Sequence, residues 1–282
     1  PLSLEELGML PDTARIVSEN LKKAYGMVLS CGPTGSGKTT TLYALMDILN
    51  KPNVNIVTVE DPIEYNMRYV NQTQMNPQAV ITFASGLRAI LRQDPNIIMV
   101  GEIRDAETAG IAVQAALTGH LLLSSLHTND APTVIPRLFD LEVPPFLVVS
   151  VLNIIVAQRL VRKICQTCIS SYEITPEISR VIQEQLKELA IDADKVKPPK
   201  NFYKGKGCVS CSGTGYRGRL GIFEVLDVNE KVKTIILGTD FTLEKLRLAS
   251  RAAGMRTMFE DGLQKVELAM TTVDEILRVI RE

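Results

Sequence analysis

Apolar positions follow two alternating rhythms through the first part of the chain. Strand candidates, most of them apolar, occur at residues 27–31, 54–59, 69–74, 97–101 and 120–126. Between them, apolar residues recur at helical spacing near 12–24, 38–50, 82–93, 105–117, 131–140 and 144–163. This alternation predicts an α/β fold, a mostly parallel sheet with helices on both faces. After Cys168 the rhythm changes. Residues 174–191 read as a charged helix, 192–207 as a Lys-, Pro- and Gly-rich loop, and Arg219 to Val228 as a strand. From 229 to 282 the pattern is helical, with Gly238 and Gly254 as stops. The expected division is a core at 1–163, a cysteine-bearing subdomain at 164–221 and a mainly helical region at 222–282.

With 282 residues, the chain has room for one large core, or for a main domain and one or two small ones. A net charge of −1 supplies no bulk attraction to nucleic acid or anionic lipid, although a local basic groove stays compatible with it. The most apolar stretch, Val143 to Ala157, is interrupted by Pro144, Pro145, Ser150 and Asn153, so direct membrane insertion is not expected. A first residue of Pro rather than Met is expected of a piece of a longer protein.

The densest chemistry lies after the first strand. Gly32-Pro33-Thr34-Gly35-Ser36-Gly37-Lys38-Thr39 is a complete phosphate-binding loop, G-x-x-x-x-G-K-[ST], followed by Thr40 and a helix. Its glycines let backbone N–H groups turn inward around the α- and β-phosphates. Lys38 supplies charge to the β- and γ-phosphates, and the Thr39 hydroxyl is a ligand for Mg²⁺. The competing reading, a chance glycine-rich turn, does not explain the full motif set between a strand and a helix.

Thr58 to Glu64 ends a strand in carboxylates, with Pro62 terminating it. Glu60 and Asp61 are therefore candidates to stand beside Mg²⁺. Asn96 to Glu102 is a second buried strand ending in an acid. Gly101 sits where many such ATPases carry a Mg²⁺-binding Asp, and Glu102 is the natural general base for water attack on the γ-phosphate. Glu60 or Glu64 could take that role instead. The bland alternative, an acid capping the helix at 105–117, suits Asp105 better than Glu102. His120 and His127 bracket a core strand. Each reads as a satisfied polar strand end, or, for His127 in particular, as a sensor of the γ-phosphate.

Five cysteines are present. Cys31 reads as a small core residue. Cys165-x-x-Cys168 and Cys208-x-x-Cys211 form two pairs. In the cytosol expected of an ATP-dependent protein, disulfides are disfavoured, and such pairs point to one Zn²⁺ on four thiolates, with a redox pair as the competing reading. Residues 169–207 separate the pairs, more than a compact zinc ribbon uses, which implies an inserted subdomain.

Taken together, these motifs resemble the type II secretion and type IV pilus assembly ATPases. Gly32–Thr39 corresponds to the Walker A box, Thr58–Glu64 to the Asp box, Ile97–Asp105 to the Walker B box, and Gly119–Asn129 to the His box. Thr82–Pro95 and Gln158-Arg159-Leu160-Val161-Arg162 are also family-like. The resemblance covers essentially the whole chain. It implies a RecA-like core, a hexameric Mg²⁺–ATP motor, and an inner-membrane platform protein as partner. It also implies a cytoplasmic location, peripheral to the inner membrane through partners. Arg88 and Arg92, four apart on a predicted helix, and also Arg104 and Arg219, become candidates for contact with nucleotide, in cis or across a subunit boundary. The cysteine pairs favour assembly over retraction ATPases, which usually lack them. A retraction motor, a nucleic-acid translocase and a zinc-dependent interaction module remain the alternatives. The last is prompted by Cys208 to Gly215, which matches the C-x-x-C-x-G-x-G pattern of one chaperone family, though only once. No aromatic-rich basic stretch supports the nucleic-acid reading.

Overall fold

The computed structural model describes residues 1–79, 81–191 and 202–281, and in it the apolar runs become neighbouring strands of one sheet. Helix α1 (Pro11–Leu21) precedes β1 (Gly26–Cys31), α2 (Lys38–Leu49), β2 (Ile56–Glu60) and β3 (Val70–Gln74). Then come α3 (Phe83–Ile90), β4 (Ile97–Val100), α4 (Ala106–Leu117), β5 (Leu121–Leu126), α5 (Val134–Asp140), α6 (Pro145–Val151) and β6 (Leu152–Ile164). The remaining elements are β7 (Ile169–Tyr172), α7 (Pro176–Glu188), β8 (Phe202–Gly205), β9 (Tyr216–Asp227), α8 (Glu230–Leu237), α9 (Leu243–Ala252), α10 (Met258–Glu267) and α11 (Val273–Arg281).

The sheet order is β3-β2-β4-β5-β1-β6-β9. The pairs β1–β5, β1–β6, β2–β3, β2–β4 and β4–β5 are all parallel, so the expected α/β fold with a mostly parallel sheet is present. Parallel strands covered on both faces read as continuous apolar runs, and β1, β2, β4 and β5 are buried at every position. The chain divides into two compact units. One comprises residues 1–158 and 224–255, the other 159–223 and Arg256 onward. Two of the three boundaries fall inside β6 and β9, and the third between α9 and α10.

One expectation is overturned. Residues 144–163 do not form a helix: α6 ends at Val151 and β6 begins at Leu152. The β-branched residues Ile154, Ile155 and Val156 pair with β1, where both faces of a strand are buried. The expected loop at 192–207 lies outside the described residues up to 201. Residues 202–205 are strand β8, antiparallel to β7 with Ile169 opposite Gly205.

The second unit carries two ionic clusters, each built on a buried carboxylate. Lys265 Nζ donates to Asp261 Oδ2 at 2.5 Å and to the Gly221 carbonyl at 2.8 Å, while Asp261 Oδ2 also accepts the Phe223 N–H at 2.9 Å. Glu275 accepts the Arg162 N–H at 2.9 Å, Arg162 Nη2 at 2.6 Å and Arg278 Nη2 at 3.0 Å. Helices α10 and α11 meet closely at Gly262, where a Cβ would lie 2.9 Å from Ile276.

Candidate functional site

The phosphate loop leaves β1 and enters α2 in a conformation only glycine supports. Gly32, Gly35 and Gly37 have φ of +148°, +77° and +90°. A Cβ at Gly32 would stand 2.5 Å from both Ser36 Oγ and the Gln158 carbonyl. Gly37 caps α2 without a side-chain hydrogen bond, which leaves N–H groups of the first turn open to an anion. Lys38 Nζ donates to the Gly32 carbonyl at 2.8 Å and the Pro33 carbonyl at 3.0 Å, so the ammonium is held over the loop. Burial lowers its pKa, and the nearby Glu102 charge opposes that shift. Thr39 follows at the same helix end, and Thr40 is exposed. Beneath the loop, the buried Gln158 donates to the Ser36 carbonyl at 2.7 Å and accepts from Thr41 Oγ1 at 2.5 Å.

Parallel pairing of β4 and β5 places Val100 beside Ser124, so both strands release their chains at the same edge. Ile103 N–H donates to the Ser125 carbonyl at 3.0 Å, and Ser125 Oγ donates to the Gly101 carbonyl at 2.7 Å. These bonds fix Glu102 next to the chain leading to His127. Glu102 pairs with Arg104 through one oxygen and accepts His127 Nε2 at 3.1 Å through the other. Burial alone would push the Glu102 carboxyl up; Arg104 and His127 more than offset it and hold the group below the usual carboxylate range. At Gly101 a Cβ would touch the Phe83 ring at 3.4 Å.

At the end of β2, Asp61 and Glu64 are exposed, and the Asp61 charge is felt at Arg104. Lys38, Glu102, Arg104, Asp61 and His127 thus form one electrostatically linked group. Glu60, expected beside the metal, ends β2 as a buried, hydrogen-bonded carboxylate. It is 2 % exposed, and both of its oxygens accept hydrogen bonds, from Tyr43, Thr58 and Gln72.

Asp105, His120 and Arg88 make contacts of their own. Asp105 caps α4 by accepting the Thr108 N–H at 2.7 Å. His120 Nδ1 donates to the Ala115 carbonyl at 2.8 Å, the satisfied strand-end role. Arg88 pairs with Glu107 at 2.7 Å. Arg92 lies in the turn that follows α3, with its N–H on the Ala89 carbonyl at 3.2 Å. Arg219 is an exposed residue of β9 within the second unit. Tyr43, Thr41 and Gln72 were not legible as site residues. Tyr43 and Thr41 sit in a helix whose apolar pattern reads as core, and Gln72 in an otherwise polar strand. Gln158 carried one signal, its place in the motif Gln158–Arg162.

The four paired cysteines come together in the second unit, their sulfurs all within 4.8 Å of one another. Cys165–Cys208, Cys168–Cys211 and Cys208–Cys211 are separated by 3.9, 3.8 and 3.7 Å. A tetrahedral zinc with Zn–S of about 2.3 Å sets its sulfurs about 3.8 Å apart, so the residues fit the ion. Burial pushes the Cys211 thiol up, but donation from the Cys208 and Gly215 N–H groups, at 3.2 and 3.3 Å, brings it down to about 6. The chain crosses itself beside this cluster at Gly205 and Gly215, where a Cβ on Gly205 would lie 2.1 Å from the Gly215 carbonyl oxygen.

Comparisons with known proteins identify the family of the chain. Residues 1–278 match the family described as Type II/IV secretion system protein. The chain is 46% identical over 281 residues to the type II secretion system protein E of Pseudomonas aeruginosa, covering 100% of this chain and 54% of the relative. It is 44% identical over 275 residues to the type IV pilus assembly ATPase PilB of Thermus thermophilus, covering 97% of this chain and 30% of the relative. The chain therefore spans about half or less of the length of these relatives. Among solved structures, the pilus retraction motor PilT with bound ADP aligns at a TM-score of 0.70 and 27% identity, covering 99% of this chain and 66% of that one. The Legionella pneumophila ATPase DotB shares the fold at a TM-score of 0.68, 24% identical, over 100% of this chain and 66% of that one. No helix among the described residues is long and apolar enough to cross a membrane. By the match over nearly its whole length and by its relatives, the chain belongs to the type II/IV secretion system protein family.

Proposed function

We propose that this chain is the ATP-hydrolysing part of a ring motor that drives assembly of a type IV pilus or of the pseudopilus of type II secretion. The observation that carries this reading is the Glu102 carboxylate. It is held ionised between Arg104 and His127 and felt by the phosphate-loop Lys38. A carboxylate poised there is suited to orient water and accept its proton as that water attacks the γ-phosphate of ATP. Residues 32–40 cradle the phosphates, and Lys38 stabilises charge that develops in the transition state. Thr39 and Asp61 would hold Mg²⁺ directly or through water, and the ion would supply positive charge that offsets the charge on the phosphates. His127 donates to Glu102 and senses whether the γ-phosphate is present. Glu64 is the alternative base.

In this reading the parallel sheet is a RecA-like core at 1–163, and 222–282 forms a mainly helical region. Cys165, Cys168, Cys208 and Cys211 hold a structural Zn²⁺ in a subdomain at 164–221. The zinc site and the assembly proteins among the relatives favour extension over retraction. The motor works as a homo-hexamer in the cytoplasm, docked to an inner-membrane platform protein. Arg88, Arg92 and Arg219 then serve nucleotide bound at a subunit boundary. Steady-state Mg²⁺-dependent ATP hydrolysis per protomer, measured across a wide range of protein concentration, tests this. Specific activity that rises with concentration and vanishes in Lys38→Ala is expected. Turnover retained by Lys38→Ala refutes the assignment.

A further inference from the structure

The segment carrying Asp61 and Glu64, residues 61–69, has neither helix nor strand. Side chains from elsewhere hold its backbone at four points: Asn50, at the end of α2, donates Nδ2 to the Arg68 carbonyl at 2.7 Å, and the other three contacts come from Tyr43 and Gln72. Tyr43 Oη accepts the Glu64 N–H at 3.2 Å, Gln72 Nε2 donates to the Tyr65 carbonyl at 3.2 Å, and Gln72 Oε1 accepts the Met67 N–H at 2.7 Å. The Tyr65 ring meets Tyr43 edge-on at 4.6 Å. Tyr43 and Gln72 are themselves fixed by one buried group. Glu60 accepts Tyr43 Oη on one oxygen, and Thr58 Oγ1 at 2.5 Å and Gln72 Nε2 at 3.1 Å on the other. A buried carboxylate is costly unless its oxygens are satisfied, and three donors satisfy this one.

Tyr43 belongs to α2, the helix that begins with Lys38 and Thr39. We propose that Tyr43 and Glu60 are a positioning pair: they lock the Asp61–Glu64 segment to the phosphate-loop helix, and Glu60 acts through that lock rather than as a metal ligand. This rests on the reading of the site as an ATPase. The arrangement makes the loop's acids move with Lys38 and Thr39 as one body, so the carboxylates keep their placement relative to the phosphates. Small misplacements of such groups cost rate while leaving ground-state binding intact.

Tyr43→Phe keeps the ring and deletes the hydroxyl; Glu60→Gln keeps the shape and removes the charge. Three readouts are measured on each: kcat and KM for ATP, affinity for Mn²⁺ in the presence of nucleotide by electron paramagnetic resonance, and hydrogen exchange at the Glu64 and Met67 amides. The expected result is a fall in kcat of about tenfold with KM and Mn²⁺ affinity within about twofold, and faster exchange at both amides. A loss of Mn²⁺ affinity of about tenfold in Glu60→Gln makes Glu60 a metal ligand and overturns the proposal. Unchanged exchange and unchanged kcat in Tyr43→Phe overturn it as well, and this variant decides the matter if Glu60→Gln fails to fold. If the wild-type protein hydrolyses no ATP, the ATPase reading fails, while amide exchange still tests the lock by itself.

Discussion

His127 Nε2 donates to Glu102 Oε2 at 3.1 Å, joining the residue that follows β5 to the residue two beyond β4. The contact ties the acid proposed to activate water to a half-exposed ring at the strand edge. Arg104 takes the other oxygen. Two donors thus keep the carboxylate charged while the site buries it, and a general base must be unprotonated to act.

The acid limb of the pH–rate profile follows from this. Glu102 is held below the usual carboxylate range, so in the proposed mechanism turnover is expected to persist to correspondingly low pH. Arg104→Ala removes the main group lowering it and leaves burial opposed only by His127. The acid limb of kcat/KM is expected to move to higher pH. An unmoved limb disconnects Glu102 ionisation from the rate.

The crossing at Gly205 and Gly215 predicts sensitivity of the cysteine cluster to a single methyl group. Gly205→Ala places a Cβ within 2.1 Å of backbone oxygen, which a side-chain rotation cannot relieve. Metal analysis is expected to find less zinc per chain than in wild type, with lower thermal stability. A full complement of zinc in Gly205→Ala contradicts the backbone crossing.

Glu275 is held at about 2, well below its ordinary 4.5. Burial raises it, and the hydrogen bonds from Arg162 and Arg278 prevail. A depressed folded value contributes stability that is complete above pH 4.5 and lost as pH falls through about 2. After allowance for solvent screening of the half-exposed arginines, Glu275→Gln is expected to cost about 1–2 kcal/mol at neutral pH. Its denaturant midpoint should then depend less on pH between 4.5 and 2 than that of wild type.

Lys265 and Asp261 make a different kind of pair, with side chains 0% and 2% exposed. Lys265→Met strands a buried carboxylate and is expected to cost about 3–5 kcal/mol in chemical denaturation. The double change Lys265→Met with Asp261→Asn should recover part of that loss. Equal destabilisation by single and double variants argues that the lost packing of Lys265, not the unpaired acid, sets the cost.

Much of the first unit was legible in the sequence, for identifiable reasons. The strands β1, β2, β4 and β5 announce themselves as short apolar runs because both of their faces are covered. The phosphate loop is legible because its glycines have no substitutes. Asp105 was legible as a cap. Strand β6 was not: an apolar run following Pro144 and Pro145 reads as helix or strand alike, and its pairing with β1 decides the matter. The expected helix at 82–93 is shorter in the structure, with Arg92 in the turn after α3. The burial of Glu60 could not be foreseen, since its three donors come from three separate elements. Its motif marks it as an acid at a strand end and contains only one of its three donors, Thr58.

The most direct test of the account is Glu102→Gln, assayed in parallel for Mg²⁺-dependent phosphate release and for ATP binding. The substitution keeps the shape and the bond from His127 but removes the base. ATP affinity within about twofold of wild type is predicted, with turnover lower by about 10²-fold or more. Near-normal turnover in Glu102→Gln would contradict the account and move the base to another carboxylate, Glu64 first.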